Sequence, residues 1–169
     1  SKKLLLETAD TAIKTFNFER NIKSFYWPKF GFGLPILDTR DGTFMEFYTD
    51  LHLLTSDEKY KKVAYNIYYN LINSSFFKQN KLLTALDGPK WVKFIFGVLG
   101  VKKHLTVNIC KNNTNSLFGM LSLYSLTKDK KILSDIEEMV RAIKEKIVLS
   151  QLTESFAMLD FLCDLYNQI

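Results

Sequence analysis

A chain of 169 residues, 47% of them hydrophobic and 14% aromatic, is long enough to bury a core without disulfide or metal staples and too apolar to be disordered. Only 7 Gly and 3 Pro interrupt it, which favours long helices in a single domain spanning 1–169. Its 23 basic residues against 18 acidic give +5, but only Arg20, Arg40 and Arg141 are arginines. Base readout leans on bidentate arginine, so nucleic acid is not an expected partner.

In chain order, residues 3–16 set Leu4, Leu5, Ala9, Ala12, Ile13 and Phe16 on one face of an amphipathic helix. Residues 17–42 form a long connection rich in aromatic residues and breakers, of a length that is functional or carries short structure of its own. Thr43 and Glu46 have capping-box spacing and open an apolar helix through Leu54. Thr55 and Glu58 repeat that spacing and open a partner helix to about Asn73. A second long connection, 74–88, closes with Asp87-Gly88-Pro89, and residues 91–99 are apolar nearly all round, a buried helix. Residues 101–113 read either as a short helix or as extended chain. Segments 115–126 and 129–149 make a second hairpin, and Thr153 or Ser150 caps a last helix to the C-terminus.

The segment from Leu51 to Tyr60 returns at an offset of 72. Leu51, Leu54, Thr55, Asp57 and Lys59 recur as Leu123, Leu126, Thr127, Asp129 and Lys131. A fainter third copy aligns Asp50-Leu51-His52 with Asp164-Leu165-Tyr166 and Phe47 with Phe161. Repeated helical hairpins stack into solenoids or toroids. The apolar helices (44–54, 90–99, 115–126, 154–168) form an inner layer and the charged ones (3–16, 58–73, 129–148) an outer layer. The short turns at 55–57 and 127–128 then share one end of the assembly. The long aromatic connections share the other end, where a site is expected.

An apolar helix, a Leu-Thr-x-Asp-x-Lys turn and an amphipathic return helix resemble the hairpins of (α/α)6-toroid carbohydrate enzymes, over about two-thirds of the chain. Gly42-Thr43-Phe44-Met45-Glu46-Phe47-Tyr48 is similar to the Asp-Ser-Phe-Tyr-Glu-Tyr-Leu opening of inner helices in class I α-mannosidases. Gly42 stands where that family has its catalytic Asp, and Asp41 is one residue away. The resemblance implies an all-α fold of antiparallel helical hairpins in an arc like part of an (α/α)6 toroid, with a sugar as ligand. At about 50 residues per hairpin, a full six-hairpin toroid needs roughly twice this chain. A homo-oligomer or a second chain completes the ring, the chain is a fragment of a longer protein, or the arc is itself the functional form.

Glycoside hydrolysis needs two carboxyl groups across the scissile bond. At the loop-rich end these are Asp38, Asp41, Glu46 and Asp87. Asp41 and Asp87 both precede inner helices and are the expected catalytic pair, or else ordinary turn residues before Gly42 and Gly88. Glu46 is the third catalytic candidate, or else the capping-box partner of Thr43. Tyr26, Trp27 and Trp91 offer flat faces for sugar, with Asp38 beside them, or else anchor the loop to the core. Asp50, Asp160 and Asp164 suggest a polar stripe along a groove, or else a solvated helix face.

Other chemistry is not indicated. Cys110 and Cys163 form no CxxC and read as buried free thiols of a reducing compartment. His52 and His104 have no metal-spaced neighbours and read as structural. Neither a phosphate-binding glycine loop nor HExxH or GxSxG occurs, so no cofactor and no metal are expected. The longest apolar run, Trp91 to Val101, is broken by Lys93 and too short to span a bilayer. With no signal peptide seen at Ser1-Lys2-Lys3, a cytoplasmic location is expected. The leading functional expectation is a carbohydrate-active protein of glycoside hydrolase type. The alternative is a noncatalytic helical-repeat module that binds another protein.

Overall fold

The computed structural model describes residues 2–16, 25–27, 32–34, 41–83, 109–146 and 155–169. Seven helices stand among them: α1 (Lys2–Phe16), α2 (Asp41–Thr55), α3 (Glu58–Ile72), α4 (Ser75–Asn80), α5 (Ile109–Thr127), α6 (Lys130–Lys146) and α7 (Ser155–Gln168). The expected all-α class is therefore met. Two three-residue strands, β1 (Phe25–Trp27) and β2 (Phe32–Leu34), pair antiparallel with Tyr26 opposite Gly33, and β1 lies beside α1. The long aromatic connection thus does carry structure of its own. The expected inner helix at 90–99 lies outside the described residues.

The 72-residue echo is one turn built twice. Thr55 donates to the Leu51 carbonyl at 2.6 Å, and Thr127 to the Leu123 carbonyl at 2.8 Å. The Asp57 amide donates to Thr55 Oγ1 and the Asp129 amide to Thr127 Oγ1, both at 3.3 Å. Asp57 then caps α3 by accepting from the Lys59 amide at 3.0 Å, and Asp129 accepts from the Lys131 amide at 2.9 Å. Between them Ser56 and Lys128 turn the chain through left-handed backbone, φ 56° and 54°. The recurring letters are therefore the hydrogen-bonding parts of a helix-to-helix turn. The expected capping box from Thr55 to Glu58 is replaced by this arrangement, because Thr55 closes α2 while Asp57 opens α3. We expect Asp57→Ala and Asp129→Ala to cost similar amounts, about 1 kcal/mol each, in denaturant unfolding.

The hairpins are welded through their inner helices. A Cβ on Gly42 of α2 would overlap the Asn115 carbonyl and Ser116 Cα of α5, and one on Gly119 would overlap the Gly42 carbonyl and come within 2.9 Å of Met45 Cε. This close crossing lies near the start of α2, whereas Leu53 and Leu126 share a groove at the far end. The two helices therefore run parallel. In the same sense Phe118 meets Phe161 edge-on at 5.6 Å, and Ser125 contacts Gln168, so α7 runs parallel to α5. The turns after α2 and α5 consequently share one end, as expected from the repeat.

The amphipathic return helices pack outside. Tyr60 of α3 stacks on Tyr48 of α2 at 6.0 Å, inside a core that includes Met45, Leu51, Ile67, Leu71, Leu117, Met120 and Leu123. Helix α6 buries Ile132, Ile136, Met139 and Ile143, and joins α3 where Tyr68 donates to Asp135 Oδ2 at 2.5 Å. Helix α1 lies over α2 and α3: Tyr48 donates to the Ala9 carbonyl at 2.9 Å, and Asp10 accepts from Lys59 at 3.1 Å and from Tyr60 at 3.2 Å.

Two segments differ from expectation. Ser74 caps the short α4, whose end turns left-handed at Lys81 (φ 56°), and Lys81 reaches Glu138 of α6 at 2.7 Å. Leu83 then pairs both ways with the Asn113 side chain. The ambiguous residues from 109 onward are helical and open α5.

Candidate functional site

The inner helices leave a groove of about 270 Å³ along their shared face. Glu46, Thr49, Asp50 and Leu53 of α2 form one wall, Phe118, Leu121, Ser122, Ser125 and Leu126 of α5 the floor, and Asp164 and Gln168 of α7 the other wall. Helical periodicity explains the α2 contribution. Residues 46, 50 and 53 follow i, i+4, i+7 and share one face, opposite the buried Tyr48 and Leu51. The structural step from Phe118 to Phe161 likewise brings Asp164 to the groove edge. The polar stripe expected from Asp50 and Asp164 is thus present, while Asp160 is exposed but not in the groove lining.

Three carboxyl groups line this groove, with no Lys or Arg in the lining. Several acids elsewhere are paired: Asp10 and Asp57 with Lys59, Glu58 with Lys61, Asp135 with Lys131 and Glu138 with Lys81. Glu46 is half-buried, and Asp50 stands one helical turn away, their Cβ atoms about 6 Å apart. Burial first, and the Asp50 charge second, hold the Glu46 carboxyl above the ordinary glutamate range. Asp50 and Asp164 are exposed to solvent. Among the described residues no group of three metal-ligating side chains gathers closely enough to hold a metal ion.

The helix boundary changes the role of Glu46. Because α2 begins at Asp41, Thr43 already lies in its first turn and is no N-cap. The capping-box reading of Thr43 and Glu46 is corrected accordingly, and Glu46 faces the groove. Asp41 opens α2. Asp38, Asp87 and Trp91 lie outside the described residues, and Tyr26 and Trp27 are fixed only as backbone of β1. Gly42, the position matching the catalytic Asp of the resembling family, is closed to any side chain by α5.

His52 is structural, as expected: its Nδ1 lies 3.1 Å from the Asp57 carbonyl and its Nε2 3.7 Å from Glu58. Cys163 departs from expectation. It is a free thiol on the exposed side of α7 rather than a buried one. No described helix is long and apolar enough to cross a membrane. Comparison with known proteins finds no family, no curated protein and no solved structure that matches this chain.

Proposed function

We propose that this chain is a carbohydrate-active protein of glycoside hydrolase type that holds sugar in the groove between α2, α5 and α7, with Glu46 as its acid. The observation that carries this reading is the unlike setting of the carboxyls. Glu46 is half-buried and raised toward the protonated form, while Asp50 and Asp164 stand open in the same groove. Glycoside hydrolysis uses such a division of roles. Protonated Glu46 gives its proton to the departing glycosidic oxygen. A carboxylate, Asp164 across the groove or Asp50 beside it, takes a proton from the attacking water or bonds to the anomeric carbon. Phe118 and Leu53 supply an apolar wall for the sugar ring. The similarity of residues 42–48 to class I α-mannosidase helices supports the helical-hairpin part of this reading more than the activity.

The test is turnover of a panel of aryl glycosides and oligosaccharides, α-mannosides included. We expect Glu46→Gln to lower turnover by about 100-fold or more while sugar binding persists, and Asp164→Asn to lower it as well. Absence of both sugar binding and turnover in the unaltered protein, or full turnover by Glu46→Gln, rejects the hydrolase assignment. A noncatalytic interaction module is the second reading, and the exposed apolar residues Leu159, Leu162 and Tyr166 of α7 favour it.

The same carboxyl predicts a stability trade. A folded-state pKa above the unfolded value means that the native state holds the Glu46 proton more tightly. The contribution is full below the ordinary glutamate range and is lost as pH rises through the raised value. Glu46→Gln should therefore melt higher than the unaltered protein at neutral pH, with the gap closing in acid below the ordinary range. Parallel thermal melts across pH check this.

A further inference from the structure

A second groove, of about 500 Å³, lies between the outer helices α1 and α3 and differs from the first in charge. Its volume falls within the roughly 300–1,000 Å³ of small-molecule sites. Asp10, Ile13 and Lys14 of α1 form one wall, and Lys59, Lys62 and Val63 of α3 face them. Helical spacing explains both walls: residues 10, 13 and 14 share one face of α1, and 59, 62 and 63 share one face of α3. The walls are pinned together, since Asp10 accepts from Lys59 at 3.1 Å and from Tyr60 at 3.2 Å. Tyr48 of α2 fixes α1 from beneath by donating to the Ala9 carbonyl. The groove is thus set by the fold itself.

Charge is divided along its length. At one end Asp10 and Lys59 neutralise each other at 3.0 Å, and Asp57 adds a longer contact to Lys59 at 3.5 Å. One helical turn further, Lys14 extends from α1 and Lys62 from α3. Both are exposed, and among the described residues neither meets an acid. The remaining lining is uncharged, so this end holds two positive charges and no negative one. Ammonium groups on opposite walls of one concavity repel each other, and a cleft lined by one sign of charge concentrates counterions. An anion of two charges answers both lysines at once. A phosphate monoester is such a group, with about −1.5 to −2 charge at neutral pH and three acceptor oxygens. A long polyanion fits less well, because Asp57 and Glu58 open α3 beside the Asp10 end and repel its continuation.

We propose that this groove binds a small molecule bearing a phosphate monoester, its phosphate held between Lys14 and Lys62. The site is built from α1 and α3 and the carboxyl groove from α2, α5 and α7, so the two assignments stand or fail separately.

Amide NMR titration at low salt tests it, with glycerol phosphate, glycerol and a single-stranded DNA oligonucleotide as probes. Glycerol phosphate should shift the amides of residues 10–14 and 59–66 saturably, and glycerol should not. Lys14→Gln and Lys62→Gln should each weaken binding by about fivefold, and the double variant by more. A control double variant, Lys130→Gln with Lys144→Gln, removes the same charge from exposed positions of α6 and should bind as the unaltered protein does. All four lysines are exposed, and equal helical circular dichroism checks that each variant folds. Absence of saturable shifts with glycerol phosphate overturns the proposal. So does an equal loss in the two double variants, which means that only net charge matters. Binding of the oligonucleotide at these residues that glycerol phosphate does not displace also overturns it, in favour of a polyanion surface.

Discussion

Gly42→Ala is expected to destabilise the protein by about 3 kcal/mol or to prevent folding. The reason is backbone against backbone. The added methyl would overlap the Asn115 carbonyl and Ser116 Cα, and α5 cannot yield there by turning a side chain. Gly119→Ala should do comparable harm, because its methyl meets the Gly42 carbonyl, with only Met45 Cε able to move aside. Helix propensity alone favours alanine over glycine by about 1 kcal/mol, so the expected sign opposes the local preference. A gain in stability at either position would mean that α2 and α5 do not cross closely. Ser116, at the same crossing, is fully buried with its hydroxyl unpartnered, so Ser116→Ala should be neutral or slightly stabilising. Denaturant titration of the three variants reads all of these effects.

Asp135→Ala is expected to cost about 2–3 kcal/mol, more than Tyr68→Phe at about 1–2 kcal/mol. Asp135 is 8% exposed and accepts from both Tyr68 of α3, at 2.5 Å, and Lys131 of its own helix, at 2.8 Å. Removing the carboxylate strands the buried Tyr68 hydroxyl between the outer helices, whereas removing the hydroxyl leaves Asp135 still served by Lys131. Burial first, and Asp135 second, hold the Tyr68 phenol in its protonated, donating form. Equal costs for the two variants would mean that Lys131 contributes nothing to Asp135.

The hairpins were legible because their turns depend on side chains. Thr55, Asp57, Thr127 and Asp129 each make a bond that few other residues can make, so the pattern survives in the letters. Gly42 and Gly119 were also readable in principle, since a glycine inside an apolar helix commonly marks a close approach. Gly42 instead drew attention as a turn residue beside Asp41. The groove was only half legible. Asp50 and Asp164 stood out as carboxylates on apolar helices, but placing Glu46 with them required the true start of α2. Two residues of helix before Thr43 changed a capping partner into a groove residue. The exposed Cys163 was missed because apolar residues flank it closely in the sequence, and exposure there depends on which neighbours cover each flank.

The most direct measurement is the titration of the Glu46 carboxyl, followed by carbon NMR in the unaltered protein and in Asp50→Asn. Glu46 should titrate above the ordinary glutamate range, and Asp50→Asn should move it part of the way down, the remainder of the elevation being due to burial. A Glu46 that titrates in the ordinary range in the unaltered protein would contradict its role as the groove's acid.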